Sequence, residues 1–553
     1  MIVGLDMGGT HIDGVIIEKG TIINTIKKPR DGEDIFVSIW AALEELLSNQ
    51  DISRIKRINL STTVSTNAIV EGKTTPVGMI IQSGPGLPHD FLACGNENVF
   101  ISGYIDHRGK VVEELDLEEI NNARDLFIKN GLKTCAVVTK FCTRNFDHEV
   151  EIKKLLGDEF DHITMGHTLS GVLNFPRRVF SAYLNAAIHK TFNQFSLSIK
   201  KAMMERGMNT PLFILKADGG TTGLAQAEDK PIETILSGPA ASLMGLNALL
   251  ETHEDALLLD IGGTTTDIFF LVDGVPLFEP LGIDIHSYKT LTRAIYSASM
   301  GLGGDSSVRL ENRRIKIGPR REGPPYALGG PMPTPTDAMI ALGLVEFGDR
   351  KRAIAAMESL GRVLGLSPEE TAGNILDTLG SMIKFKVGQL LAKINSKPVY
   401  TIHELLHGRR LNPQRINLIG GPAKCLSPIL EKKFNLPCYY PRDYAIANAI
   451  GAAMAKVTQD ITLVADTQRR LLIAGEYGIR ERIGRNFTIE DARKRAVQLL
   501  RDRAIAQGAK EDEIKTEIIE ESIFNMVDGF YTAGKNIRVK AQIKPGLVGD
   551  LRI

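Results

Sequence analysis

The stretch Met1–Ile17 reads MIVGLDMGGTHIDGVII. An apolar run (Ile2, Val3, Leu5) leads to Asp6 and then to Gly8-Gly9-Thr10, and Val15–Ile17 forms a second apolar run. This pattern predicts a buried strand, a tight turn and a returning strand, with a carboxylate at the first strand's end. Such a hairpin suits a metal-bound phosphate. Its glycines let the backbone approach until the amides face an anion, and the Thr10 hydroxyl adds a donor. Glycine turns beside an acid are also common structural features, so this stretch alone leaves both readings open.

Repetition changes the balance. Leu257–Leu271, LLLDIGGTTTDIFFL, has the same order of parts, and Asp6, Gly8, Gly9, Thr10 and Asp13 recur as Asp260, Gly262, Gly263, Thr264 and Asp267. The interval is far longer than any solenoid period, which implies a duplicated domain. Two like domains, each with a phosphate hairpin, are expected to close on one nucleotide from opposite sides.

Composition narrows the class. The chain has 553 residues, enough for two to four domains, with 43% hydrophobic and 24% charged residues. Lys+Arg and Asp+Glu both number 66, so no overall basic field favours nucleic acid or an anionic membrane. Met1 leads straight into a strand without a basic leader, and no apolar run approaches the roughly 20 residues of a membrane helix. Five scattered cysteines without a C-x-x-C pair suit a reducing cytoplasm and argue against a zinc ribbon or an iron–sulfur cluster.

Along the chain, Ile35–Leu47 has helical periodicity. Ser61–Asn67 holds six hydroxyl or amide side chains in seven positions, a polar loop that either caps the next helix or offers oxyanion donors. Asp106 lies in a charged hairpin turn, YIDHRG, read as a solvated turn or a site. Phe141–Glu149, FCTRNFDHE, either presents Arg144, Asn145, His148 and Glu149 to a pocket or begins a helix. Leu212–Lys216 ends in Ala217-Asp218-Gly219-Gly220-Thr221, a third carboxylate-plus-diglycine strand end. Leu236-Ser237-Gly238-Pro239-Ala240 opens a small-residue helix, echoed by Tyr444–Ala455.

The second half carries three further features. Ser299–Ser307 is glycine-rich but a poor dinucleotide fingerprint, and the prolines of Gly318–Asp337 forbid regular structure up to a helix cap at Pro333–Asp337. His403-Glu404-Leu405-Leu406-His407 fits the zinc pattern H-E-x-x-H, but no third ligand follows, so a connecting helix is expected. The strand Arg415–Ile419 ends in Gly420-Gly421, where a ring or phosphate could lie on the backbone. The last ~90 residues read as an appended α/β module.

In order, the two hairpins, the two small-residue helices and the Gly420-Gly421 strand end resemble the five-part pattern of the actin, sugar-kinase and heat-shock chaperone ATPase superfamily. Within it, DMGGTHID, STTVSTNA, LSGPA, DIGGTTTD and PTPTDA resemble the hydantoinase A / 5-oxoprolinase family over roughly residues 1–460. The resemblance implies an α/β fold of two ribonuclease-H-like domains with insertions. The expected division is 1–175, then 176–460 with a Pro-rich insertion at 299–337, then a C-terminal α/β module at 461–553. It also implies an ATP- and Mg²⁺-dependent subunit that phosphorylates the carbonyl oxygen of a cyclic amide (hydantoin or 5-oxoproline type) before ring opening, with a hydantoinase B-type partner. Neither nucleic acid nor a membrane is an expected partner.

On that basis Asp6 and Asp260 are assigned to Mg²⁺, Gly8, Gly9, Thr10 and Gly262, Gly263, Thr264, Thr265 to the phosphates, and Gly420 and Gly421 to adenosine. Thr62, Thr63, Thr66, Asn67 and Asp106 are assigned to the substrate, with Asp6, Asp260 and Asp106 as the catalytic set. Where the family has G-A-G-G-G-S, this chain has Gly301-Leu302-Gly303-Gly304-Asp305-Ser306, a departure that bears on substrate identity. Competing readings are a carboxylase subunit of the acetone/acetophenone type, a plain kinase, and a nucleotide-driven chaperone or reactivating factor.

Overall fold

A computed structural model of the chain describes residues 1–8, 11–29, 35–279, 281–396 and 410–552. Gly9, Thr10 and the H-E-x-x-H segment therefore lie outside the described residues. The chain forms two compact units. Unit one comprises Met1–Ala240, Glu279–Ala294 and Ala452–Asp550, and unit two comprises Ala241–Phe278, Ile295–Gly451 and the residues from Leu551.

Unit one is built on a six-stranded sheet ordered Thr221–Gly223, Leu212–Leu215, Arg57–Thr62, Ile2–Met7, His11–Glu18, Thr21–Pro29. Ile2–Met7, Arg57–Thr62 and Leu212–Leu215 run parallel, whereas Ile2–Met7, His11–Glu18 and Thr21–Pro29 form an antiparallel meander. This is the expected ribonuclease-H-like arrangement. Val3, Leu5, Met7, Ile58 and Leu60 make one face of the central strands apolar, while Arg57 and Asn59 on the other face donate to the Ala455, Ala452 and Ala453 carbonyls. Ile39, Leu43 and Leu46 of the helix Ile35–Leu47 recur at helical spacing, and Phe192, Phe195 and Ile199 of the long helix Phe175–Glu205 join the same core. A second sheet, His162–Met165, Thr134–Thr139, Val77–Gln82, Glu97–Phe100, is all parallel.

The C-terminal region folds as a five-stranded antiparallel sheet from Asp460 to Ile543, with the helix Ile489–Ala506 on one face. Ala492, Ala496, Leu500 and Ala504, four residues apart, form the buried stripe of that helix. The last two strands are longer than their apolar pattern predicts, Thr516–Asp528 and Tyr531–Ile543, because they pair along their full length around a turn at Gly529.

Glu476, in the short turn Gly475–Tyr477, is buried; its Oε1 accepts the Thr462 N–H, while its Oε2 has no partner among the described residues. Burial pushes its pKa up to about 7 from 4.5. The folded chain therefore keeps this proton where the unfolded chain has lost it, so stability falls as pH rises from about 4.5 to about 7. At ~1.4 kcal/mol per unit the contribution is about 3 kcal/mol. Glu476→Gln is expected to flatten the denaturation midpoint between about pH 5 and 8 and to be the more stable form at the alkaline end. An unchanged slope in urea titrations would assign the pH dependence elsewhere.

Unit two repeats the first sheet's plan. Its sheet runs Val275–Pro276, Thr266–Val272, Ala256–Ile261, Arg415–Ile419, Cys438–Tyr439, with Ser297–Met300 also paired to Thr266–Val272. Ala256–Ile261 and Thr266–Val272 form the antiparallel hairpin, and Arg415–Ile419 and Cys438–Tyr439 follow in parallel. The helices Arg350–Leu364 and Pro368–Asn395 pack on its core through Ala353, Met357, Ile375, Leu379 and Ile383. Asp349 caps the first, and Ser367 with Glu370 forms a capping box on the second.

The small-residue helices Ser237–Leu249 and Ala447–Met454 meet backbone to backbone within unit two. A Cβ on Gly245 would lie 1.9 Å from the Ala447 carbonyl oxygen, and one on Gly451 would lie 2.0 Å from that of Ala241. Among the described residues no helix is long and apolar enough to cross a membrane.

Candidate functional site

Asp260 ends the strand Ala256–Ile261, directly opposite Asp267 across the hairpin and level with Ile419 on the parallel neighbour. Its Oδ2 accepts a 2.6 Å hydrogen bond from Ser242 Oγ. The Gly262 N–H donates to the Thr265 carbonyl at 2.9 Å and closes the turn. Among the described residues the N–H groups of Gly263, Thr264 and Thr265 have no acceptor. Consecutive free amides in a tight turn form an anion cradle.

Gly420 completes this edge. Its φ is +94°, and a Cβ there would fall 2.2 Å from the Ile261 carbonyl oxygen and 2.8 Å from Asp260 Oδ1. Only glycine permits that approach. Gly421 beside it faces open space. Burial, reinforced by the Asp260 charge, pushes Asp267 up to about 7. Two facing carboxylates with an open glycine edge fit Mg²⁺, which takes one or two carboxylates and fills its other positions with water and phosphate oxygens. A cage of three or more ionisable ligands does not occur among the described residues.

The glycine-rich loop rests on this turn. Gly304 and Asp305 donate their N–H groups to the Gly262 and Gly263 carbonyls at 2.9 and 2.7 Å. Asp305 Oδ1 accepts from Thr336 Oγ1 at 3.0 Å, and Asp305 pairs with Arg321 at 3.3 Å. Asp337 fixes the Pro-rich segment by accepting from the Tyr326, Ala327 and Thr334 N–H groups, and the helix it caps starts at Pro335. The departure seen in the sequence thus puts its extra carboxylate on the Gly262-Gly263 turn. Neither this placement nor the role of Ser242 has a signal in the linear pattern.

The first hairpin has the same internal geometry. Asp6 faces Asp13 across it, and the Gly8 N–H donates to the His11 carbonyl at 3.0 Å, the counterpart of the bond from Gly262 to Thr265. Here Lys27 Nζ pairs with Asp13 at 2.8 Å; burial raises the Asp13 pKa and Lys27 opposes the rise. Asp6 is buried and level with Ser61, and Met7 with Thr62, at the carboxyl ends of the parallel strands where α/β sheets hold ligands.

The hydroxyl loop meets its helix through Thr62, whose Oγ1 accepts from the Val64 N–H at 3.2 Å. Thr63 sits at the N-cap of Val64–Val70 but makes no capping bond with its side chain; Asn67 Nδ2 donates to its Oγ1 at 3.2 Å. Further bonds tie the loop to residues 234–237, and Ser65 Oγ bonds Thr234 Oγ1 at 2.8 Å. Thr66 Oγ1 accepts from the Leu236 N–H at 2.9 Å, and Ser237 Oγ donates to the Thr62 carbonyl at 2.7 Å. These bonds hold Leu236 at φ +57°, a conformation a branched side chain otherwise avoids.

Asp106 shapes its own turn, its Oδ1 accepting from the Arg108 and Lys110 N–H groups at 2.8 and 2.9 Å. The Arg469 guanidinium holds the Arg108 and Gly109 carbonyls of the same turn. His148 and Glu149 belong to the helix Asp147–Leu156 and are buried. Glu149 accepts from the Thr139 N–H and from the His167 N–H at 2.9 and 2.8 Å, so it fastens the strand end to the next helix. Arg144 differs, because its Nε and Nη1 are buried without a partner among the described residues.

Two family models match the chain, the hydantoinase/oxoprolinase N-terminal region over residues 2–160 and hydantoinase/oxoprolinase over residues 178–461. The acetophenone carboxylase gamma subunit of Aromatoleum aromaticum is 22% identical over 453 residues, covering 70% of this chain and 61% of that subunit. Caprolactamase subunit alpha of Pseudomonas jessenii is 24% identical over 421 residues, covering 68% of this chain and 60% of that subunit. The chain thus spans about three fifths of the length of these curated relatives. The crystal structure of the ATP-dependent caprolactamase from Pseudomonas jessenii superposes with a TM-score of 0.72 at 19% identity, over 98% of this chain and 87% of that one, which shows a common fold. With models covering both of its parts, this chain belongs to the hydantoinase/oxoprolinase family.

Proposed function

We propose that this chain is the ATP-using subunit of an enzyme that opens a cyclic amide of the hydantoin, 5-oxoproline or lactam type. A neutral ring amide resists water because its nitrogen is a poor leaving group and its carbonyl is deactivated. Transfer of the γ-phosphoryl group to the carbonyl oxygen releases ADP and makes the ring carbon electrophilic. Water adds there, the C–N bond breaks with the nitrogen leaving as the amine, and a second water releases phosphate from the resulting acyl phosphate. The chain's task is to position reactants in line and offset charge on the moving phosphoryl group.

The observation that carries this reading is the hairpin built twice in one register, with a glycine-only edge at Gly420 beside Asp260. In unit two Asp260 would hold Mg²⁺, the Gly262–Thr265 turn would take phosphate oxygens, and Gly420-Gly421 would lie against adenosine. In unit one Asp6 and the Gly8–Thr10 turn take the matching role. Bound Mg²⁺ supplies charge neutralisation at the phosphates. Thr62, Thr63, Thr66, Asn67 and Asp106 serve the substrate side, and a B-type subunit completes ring opening. The five free cysteines suit the reducing cytoplasm.

The relative from Aromatoleum aromaticum favours a second reading, an ATP-dependent carboxylase subunit. ATP turnover with hydantoin, 5-oxoproline and caprolactam, against a ketone plus bicarbonate, each with and without a B-type subunit, separates the two. Stimulation by a ring amide is expected. Stimulation by the ketone and bicarbonate alone would select the carboxylase, and a response only to protein clients would exclude both.

A further inference from the structure

Unit one contains a cavity whose charged lining is Lys216, Asp218, Glu233, Arg293 and Asp460. Local structure brings the first two together. After the strand Leu212–Leu215, the Lys216 N–H donates to the Gly220 carbonyl at 2.7 Å, and Asp218 Oδ1 accepts from the Gly220 N–H at 2.9 Å. A Cβ on Gly220 would meet Thr458 Oγ1 at 2.0 Å, so the diglycine also admits Thr458, which donates to Asp218 at 3.1 Å. Glu233 comes from the turn Pro231–Thr234 and Asp460 from the start of the C-terminal sheet.

The polar groups of this cavity are unequally satisfied. Asp218 has acceptor bonds on both oxygens. Lys216, its side chain 7% exposed, makes a single hydrogen bond, at 3.4 Å to Asp218, and its Nζ stands 3.7 Å from Glu233. An ammonium has three donors, so two are unfilled. The carboxylates of Glu233 and Asp460 accept no hydrogen bond among the described residues. Donors of a buried ammonium that lack acceptors carry a desolvation cost. A ligand that offers an acceptor to Lys216 and a cationic donor to the neighbouring carboxylates removes that cost.

We propose that this cavity binds a small amino acid, with its carboxylate on Lys216 and its ammonium on Glu233 and Asp460. Three lining carboxylates against two cations leave a net charge of minus one, which favours a ligand with an ammonium over a dicarboxylate or a phosphate. Burial pulls the Lys216 pKa down, but Asp218 and Glu233 outweigh it and the net direction is up; burial likewise raises Asp218, and Lys216 and Arg293 outweigh that. Both groups are therefore charged near neutrality. Opening a cyclic amide frees a carboxylate and an amine on one molecule, so under the function proposed above this ligand is of the product class. The ligand class itself follows from the cavity's donors and acceptors and stands apart from that reading.

The test is titration calorimetry on the full chain without nucleotide, using L-glutamate and 6-aminohexanoate as probes. Glutarate and hexylamine serve as controls that carry charge of one sign only. Saturable binding of at least one amino acid is expected, with both control classes weaker. Glu233→Gln and Asp460→Asn, which leave the buried Lys216–Asp218 pair intact, are each expected to weaken it roughly tenfold, and Lys216→Met further. No saturable binding of either amino acid would overturn the proposal. So would equal or tighter binding of glutarate, or unchanged binding in folded Glu233→Gln. Because no nucleotide is present, none of these outcomes depends on whether the chain uses ATP.

Discussion

Asp260→Ala is expected to lower Mg·ATP turnover by roughly 10²-fold or more while leaving the fold intact. The carboxylate stands at a strand end beside the open Gly420-Gly421 edge and the free amides of Gly263–Thr265. The apolar residues that hold this strand, Leu257, Leu259 and Ile261, lie elsewhere on it and remain buried. Removing Asp260 also removes the charge that, after burial, raises the Asp267 pKa, so folding gains what phosphate handling loses. Steady-state ATPase rates with a circular-dichroism melt of the same preparation provide the check. Full turnover in a folded Asp260→Ala chain would take this residue out of the site and with it the nucleotide reading of the second hairpin.

The largest stability loss is expected from Gly451→Ala. Its new Cβ would lie 2.0 Å from the Ala241 carbonyl oxygen and 2.5 Å from the Gly245 nitrogen, and all of these atoms are helix backbone. A flexible side chain could swing aside, but two helices can relieve the overlap only by separating, which opens the packed core around them. A loss of at least about 3 kcal/mol is expected, beyond the range of ordinary substitutions, with poor soluble yield as its practical form. Gly245→Ala should behave alike, since its Cβ would lie 1.9 Å from the Ala447 carbonyl. Gly373→Ala is the control. Gly373 lies inside the helix Pro368–Asn395 with no atom within 4 Å of a Cβ, and alanine there is expected to stabilise by about 0.5–1 kcal/mol. Urea midpoints of the three variants decide the matter, and a wild-type midpoint for Gly451→Ala would mean that the helices are not packed this way.

The hairpins were legible because their information is local. A strand, a carboxylate at its end and two glycines specify a turn whatever surrounds it, and so Asp6 opposite Asp13 and Asp260 opposite Asp267 recur in the same register. The small-residue helices were legible for a similar reason, since only close approach explains Gly245 and Gly451 within such apolar stretches. Ser61–Asn67 was legible in part. Thr62 meets the first N–H of the helix that follows, as a hydroxyl before an apolar run should, whereas Thr66 meets the Leu236 N–H, 170 residues away, which no local pattern marks.

By itself, then, the sequence determined the repeated hairpin with its strand-end carboxylates, the ribonuclease-H-like order of strands around it and the family that carries both. Local backbone preference and strand periodicity act over a few residues and leave a readable trace. Only the tertiary structure decided that Asp305 sits on the Gly262-Gly263 turn, that Glu149 is a fastening between strand and helix, and that Lys216 shares a cavity with Glu233, Arg293 and Asp460. Those side chains are drawn together from distant segments by burial of the apolar cores beneath them, and burial of apolar surface is non-directional. It fixes which charged groups become neighbours without marking any of them in the chain.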